Sequence, residues 1–538
     1  MNDELFVILK KFLKQEKYQI NYEELELQLL SHPSFPSLHS VTGVLDHFDI
    51  ENIALEVPTN MEILEQLPPT FISLIGKQKN YVVVHKKKDS VELTYGNNDK
   101  KSLSNAAFIE DWTGILVAVE KVSSETAGGK TNENKGMVAL YALTALLTLG
   151  MFFFGTSGIF QIMHYFLSLI GLVISGFIIR HEMGYKSKIV DKLCTGKETA
   201  NCESVLNSKG ASLGKNLKLS DLGFVYFSML SLTWLMSIFF VETPGIVVAL
   251  TLLSLPITLY SLYYQWRIVK QWCPLCLGIV AVLWLQGASL FFYSDWSNIQ
   301  FVASEALIFM ISALLTISFW VFVKPLLEDK QEFKKNKIAH YKFIRNFELF
   351  YTLYNKGESK TPMSPGILGK EIVLGNKNAM VELTLVTNPS CFYCKEAHTD
   401  LEKVLHKDAK NVKLRIRFSV DIRNKENAAY KMASRLLEIY HTEPNEVCMT
   451  ALSEAYAENM DKEKWLQKWK HTTSNIFDGV LEQQKEWCSQ NALNFTPAVL
   501  INNKLYPKMY DRSEIPYFIE DLMEKIEADT EGVLEETY

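Results

Sequence analysis

The chain has 538 residues, enough for about three or four domains, and 48% of them are hydrophobic. A net charge of -6 supplies no basic surface for a phosphate backbone, which excludes nucleic acid as a partner. The apolar residues are concentrated between Met137 and Val323, and the flanks have ordinary soluble composition. Residues 1–121 read as a soluble domain. An amphipathic start (Leu5, Ile8, Leu9, Phe12, Leu13) precedes a turn-rich segment from Ser31 to Ser37 and a helix from Val41 to Phe48. Strand-like runs follow at Thr70 to Ile75, Tyr81 to His85 and Val91 to Tyr95, and Ile115 to Val119 closes the domain. Helices first and an antiparallel sheet afterwards predict an α+β fold.

Pro68-Pro69-Thr70-Phe71-Ile72, Asn80-Tyr81-Val82-Val83-Val84 and Phe108-Ile109-Glu110-Asp111-Trp112-Thr113-Gly114 carry a resemblance. They resemble the papain-like domain of bacteriocin-processing cysteine peptidases found at the front of some ABC exporters. In that family a cysteine nucleophile works with a histidine base. Here no Cys occurs before Cys194, Tyr81 stands where the histidine is expected, and Gly96-Asn97 replaces the expected Asp-Pro. Without a thiolate and a base there is no acyl transfer. A peptide-binding or docking role stays open beside a scaffold with no ligand.

Residues 122–136 are polar and glycine-containing, as a linker would be. Six apolar runs follow within 137–323: Met137 to Gly155, Phe160 to Ile179, Leu222 to Val241, Gly245 to Tyr264, Pro274 to Phe292 and Phe301 to Val323. Each is near the roughly 20 residues that a bilayer crossing needs, which predicts an all-α transmembrane bundle with the lipid bilayer as a partner. Six crossings would place both termini, the long loop from Arg180 to Asp221 and the start of the Cys273 helix on one side.

Eight cysteines are present, and six of them form three close pairs: Cys194/Cys202, Cys273/Cys276 and Cys391/Cys394. Such spacing also suits zinc, but no nearby His completes a ligand set. Trp272-Cys273-Pro274-Leu275-Cys276 opens an apolar helix. Pro274 is tolerated in the first turn, and the two sulfurs at i and i+3 share one face. The helix N-terminus favours a thiolate, so this dithiol could pass two electrons to an acceptor dissolved in lipid. The alternative is a pair of buried core cysteines.

The loop carrying Cys194, Cys202 and Ser208, the Gly-x-x-Tyr of Gly223 to Tyr226, and the Cys273/Cys276 motif together resemble the bacterial vitamin K epoxide reductase family. The resemblance implies that Cys194 and Cys202 relay electrons to Cys273 and Cys276 beside a quinone, ubiquinone or menaquinone. Cys276 is then the quinone-facing sulfur, and Ser208 a hydrogen-bond donor there.

Residues 324–368 are basic and aromatic and read as a helical connector, solvated at the membrane surface. In 369–538, strand signals lead into Thr387-Asn388-Pro389-Ser390-Cys391-Phe392-Tyr393-Cys394, which opens an amphipathic helix, and Asn494-Phe495-Thr496-Pro497 leads into a further strand. This part resembles the thioredoxin superfamily, in the branch with a helical insertion, and so implies an α/β domain. By that likeness Cys391 attacks, Cys394 resolves, and Thr496 and Pro497 form a cis-proline loop that holds substrate backbone. Cys448 and Cys488 either pair or stay buried.

The expected protein is a multidomain, multi-pass protein of the inner cell membrane that oxidises dithiols of secreted or exported proteins and peptides and passes the electrons to a quinone. Its soluble domains are expected on the extracytoplasmic side, where disulfides form. Basic residues beside the helix ends, Arg180 and Lys186 among them, argue the other way. Two alternatives stand: the same cysteines run in the reductive direction, or a peptide-export accessory whose N-terminal domain binds a precursor.

Overall fold

The computed structural model describes residues 4–96, 99–120, 159–184, 202–212, 217–237, 245–292, 303–356, 369–470 and 475–535. The chain divides into two compact units, Met1–Ala127 with Lys337–Tyr538, and Gly128–Asn336.

The first unit opens with helices Glu4–Gln15, Tyr22–Leu30 and Leu38–His47. Asn21 caps the second by accepting from the amides of Glu23 and Glu24, and Ser37 caps the third by accepting from that of Ser40. These are helix-end N–H groups with no partner of their own. Strands β1 (Asn52–Glu56), β2 (Thr70–Ile75), β3 (Asn80–Lys86), β4 (Ser90–Thr94), β5 (Lys100–Ser104) and β6 (Trp112–Val119) pair antiparallel in the order β1-β6-β2-β3-β4-β5. Period-two alternation sends Ile72, Val83 and Val117 into the core formed with the three helices. Phe71, Val82, Val84 and Leu116 enter a second core with Phe108 and Trp112. The expected α+β arrangement is what forms.

In the same unit β7 (Ile372–Gly375), β8 (Val381–Thr387), β9 (Val412–Phe418), β10 (Ala498–Ile501) and β11 (Lys504–Leu505) are ordered β11-β10-β8-β9-β7. β8 and β9 are parallel and connected by the helix Phe392–Asp408, while β7 and β10 pair antiparallel with their neighbours. Coverage on both faces accounts for the fully buried Val381, Leu383, Leu385 and Val386. Helices Ala428–Thr442, Asn445–Ala455, Lys462–Lys468 and Asp478–Gln490 are inserted between β9 and β10.

Arg345 joins the two domains of this unit. Its Nε donates to Glu514 Oε2 at 2.5 Å, Nη1 to Ser31 Oγ at 2.8 Å and Nη2 to Gln28 Oε1 at 2.8 Å. The guanidinium lies 3.8 Å from the centre of the Tyr517 ring. The connector was expected to be solvated, yet Arg345 is 2% exposed. A carboxylate, two neutral acceptors and an aromatic face make that burial tolerable.

The second unit contains Phe160–Glu182, Leu219–Met236 and Gly245–Val269, each long and apolar enough to cross a membrane, and the shorter apolar helix Pro274–Ser289. A fourth helix of spanning length, Ala303–Ile344, continues beyond the unit's boundary into the basic connector. The expected span Met137 to Gly155 lies outside the described residues. Leu253, Leu259, Leu314 and Phe322 are largely exposed, as lipid-facing side chains are. Several polar groups inside the bundle pair with one another. Trp234 Nε1 donates to His164 Nδ1 at 3.0 Å, His164 Nε2 lies 2.9 Å from Thr251 Oγ1, and Gln286 Nε2 donates to Ser168 Oγ at 2.9 Å. A Cβ on Gly171 would stand 2.3 Å from the Phe227 ring, so the first two helices approach at a distance that only glycine permits.

Candidate functional site: two dithiols at helix N-termini

In the C-terminal domain β8 ends at Thr387, and a turn then presents Cys391 as the N-cap of the helix Phe392–Asp408. Asn388 builds the turn, donating to the Ser419 carbonyl at 2.7 Å and accepting from the Ser390 amide at 2.9 Å. Cys391 is partly exposed and Cys394 fully buried. Cys391 Sγ lies 3.4 Å from the Thr496 carbonyl, and the Thr496–Pro497 peptide is cis. Four of the site residues expected from sequence are thereby brought together. Burial works to raise the Cys391 pKa, but hydrogen bonds from the Thr496 side chain, Cys394 and the helix-start amides hold it below the ordinary 9.0. Burial pushes Cys394 up to about 11. One sulfur is therefore poised as an exposed nucleophile while the other keeps its proton.

The second dithiol has the same local design. Cys273 caps the helix Pro274–Ser289, its Sγ accepting from the Cys276 amide at 3.4 Å, with Pro274 in the first turn. The Cys273 amide donates to Gln265 Oε1 at 2.9 Å. Gln265 belongs to a π-helical segment, Tyr264–Val269, that ends at Lys270 with φ of 57° and reverses the chain. Cys202 is disulfide-bonded and opens the helix Cys202–Leu206. It shares one buried cluster with Ile178, Cys273 and Leu275, and Cys276 packs against that cluster. Cys194 lies outside the described residues. Ser208 donates to the Val205 carbonyl at 2.6 Å and closes the turn after the short helix. The Gly210 amide donates to the Tyr264 hydroxyl at 2.8 Å, and a Cβ on Gly210 would meet the Tyr264 ring at 2.3 Å.

Gln265 and Tyr264 are not among the residues singled out from sequence. Their only signal is a polar and aromatic end, Tyr263-Tyr264-Gln265, on an apolar run. Cys448 and Cys488 are both free and buried, and burial pushes their thiols up to about 12 and about 11. Among the described residues no group of three His, Cys, Asp or Glu could hold a metal ion.

The vitamin K epoxide reductase family model matches residues 162–291, the thioredoxin model 368–521, and the peptidase C39 family model 2–124. The chain joins these three domains in one protein. Its vitamin K epoxide reductase domain supplies the membrane dithiol and its thioredoxin-like domain the exposed one, which together make it a thiol-disulfide oxidoreductase. Among solved structures it is similar to ScsC of Proteus mirabilis in a transitional conformation, with 15% identity over 40% of this chain and 99% of that one and a TM-score of 0.26. Oxidised BdbD of Bacillus subtilis is 18% identical over 30% of this chain and 96% of its own, with a TM-score of 0.24. A periplasmic thioredoxin-like protein of Salmonella enterica serovar Typhimurium is 18% identical over 28% of this chain and 89% of its own, with a TM-score of 0.24. No curated protein matches the chain.

Proposed function

We propose that the chain oxidises protein dithiols through its thioredoxin-like domain and passes the electrons to a membrane quinone. A substrate thiolate attacks Cys391, and Cys394 leaves as a thiolate. The second substrate thiolate then attacks its partner sulfur in the mixed disulfide, which forms the substrate disulfide and releases Cys391. The reduced Cys391/Cys394 pair hands its two electrons to Cys194/Cys202 by the same exchange, and that pair hands them to Cys273/Cys276. The observation that carries this reading is the single buried cluster that holds disulfide-bonded Cys202 with Cys273 and borders Cys276.

The surroundings of Cys276 fit a quinone ring. Cys276 is only partly buried, and Ile174, Phe177 and Ile279 pack against the same cluster. Cys276 and these side chains would hold the ring, and Ser208 would have to turn from the Val205 carbonyl to donate to it. A bound quinone supplies an acceptor for two electrons and two protons.

Purified full-length protein, a reduced synthetic dithiol peptide and added ubiquinone or menaquinone under anaerobic conditions provide the test. Loss of quinone reduction when each cysteine pair is replaced in turn is expected. Undiminished reduction by the Cys273→Ala/Cys276→Ala variant would sink the reading. The soluble domains belong on the extracytoplasmic side, where dithiol oxidation serves disulfide formation, and a reporter fused to the C-terminus tests that placement.

The Arg345 joint favours a second role, in which the N-terminal domain carries a bound precursor peptide together with the dithiol that modifies it. If deleting residues 1–121 leaves every substrate oxidised at the same rate, that role falls.

A further inference from the structure

A closed polar group that none of these steps uses lies behind the Cys394 sulfur. Thr387, at the end of β8, has its hydroxyl 3.0 Å from the Tyr456 hydroxyl and 3.2 Å from His398 Nε2. His398 stands one helical turn beyond Cys394 on the same helix face. Its ring stacks on Tyr456 with centroids 3.5 Å apart. All three side chains are buried. Burial lowers the His398 pKa to about 3, so the ring is neutral, and burial raises that of Tyr456, so the phenol keeps its proton. The Thr387 side chain and the Asn388 backbone both act to lower the Cys394 pKa, against the larger upward effect of its burial. The ionisable groups facing this cluster are thus Cys391, Cys394, His398 and Tyr456.

A hydroxyl has one proton and two lone pairs. With Cys394 protonated, Thr387 donates to the Tyr456 hydroxyl. Both hydroxyls rotate, and once Tyr456 and the His398 Nε2–H donate to Thr387 Oγ1 instead, its lone pairs are filled and its proton is left for the charged sulfur. We propose that Thr387, oriented by His398 and Tyr456, is a catalytic residue that donates a hydrogen bond to Cys394 whenever that sulfur carries charge. His398 and Tyr456 are positioning residues. The inference deepens the oxidoreductase reading and rests on it. When a substrate thiolate attacks Cys391, the Cys391–Cys394 bond breaks and Cys394 leaves with the electron pair. On re-oxidation Cys394 gives its proton to solvent and attacks Cys391 in the mixed disulfide. The Cys391–Cys394 bond re-forms and the other sulfur leaves as a thiolate. Thr387 stabilises the same anion in both directions.

The test uses the full chain with Cys194, Cys202, Cys273 and Cys276 replaced by alanine, reduced and mixed with 5,5′-dithiobis(2-nitrobenzoate). Cys391 releases the first thionitrobenzoate, and Cys394 releases the second as the internal disulfide forms. Thr387→Val is expected to leave the first phase unchanged and slow the second about tenfold at neutral pH, moving its pH midpoint upward, as loss of a hydrogen bond to a charged group does. Thr387→Ser should restore it, and Tyr456→Phe should slow it by a smaller factor. A Thr387→Val protein whose second phase keeps its rate and midpoint overturns the proposal. If that variant does not fold, a Tyr456→Phe second phase equal to the parent overturns it instead. Absence of even the first phase in the parent would overturn the oxidoreductase reading itself.

Discussion

Cys391 and Cys394 belong to one tetrapeptide, yet burial and hydrogen bonding drive their acidities apart. An acid whose pKa is lowered is more ionised at any given pH, so Cys391 carries the reactivity near neutrality. In the reduced full chain, iodoacetamide should label Cys391 with a half-maximal rate below pH 9.0, the ordinary thiol value, while Cys394 resists until about pH 11. Mass spectrometry of the alkylated peptides across pH checks both. The dithiols were legible in the sequence because their chemistry is local: two sulfurs a turn apart at a helix start, and a Thr-Pro before a strand. Thr387, His398 and Tyr456 were not. One ends a strand, one lies a turn inside a helix and one comes from the inserted helices, and only the folded core brings them together. Gln265 was hidden in the same way, since its contact with Cys273 depends on the chain reversal at Lys270.

Among the elements, β9 shows how alternation can mislead. Lys413, Arg415 and Arg417 occupy every second position, a pattern that normally marks a wet face. Instead Arg417 is fully buried, its Nε donating to Glu371 Oε1 at 2.6 Å and its guanidinium 3.9 Å from the Trp487 ring centre. Arg415 contacts both Glu371 and Glu382. Glu371→Ala takes the carboxylate away from the fully buried Arg417 guanidinium and should cost about 3–5 kcal/mol, read as an earlier denaturant midpoint for the thioredoxin-like domain. In the vitamin K epoxide reductase domain, Tyr264 pins the loop segment at Gly210. Gly210→Val would force the ring away, because even a Cβ would stand 2.3 Å from it. Quinone reduction driven by the dithiol peptide should fall by at least about tenfold, a loss of roughly 1.4 kcal/mol in transition-state stabilisation. Alkylation of Cys391 should not change, which separates a fault in the loop from one in the thioredoxin-like domain.

For the whole molecule, the order of the three fold types was legible in composition, which changes abruptly at the apolar middle of the chain. The joint between the N-terminal and thioredoxin-like domains did not, because one arginine in a basic connector carries it and its partners come from Gln28, Ser31 and Glu514. Arg345→Ala leaves Glu514 buried without its cation and should cost about 3–5 kcal/mol. The expected readout is earlier proteolysis between the two domains in the detergent-solubilised full chain, with dithiol labelling unchanged. The N-terminal domain meanwhile contains no sulfhydryl at all. A permanent neighbour without thiols offers nothing for a reactive sulfur to seize, so it cannot be captured as a dead-end adduct, and its fold stays the same whether the chain is holding electrons or has just given them up.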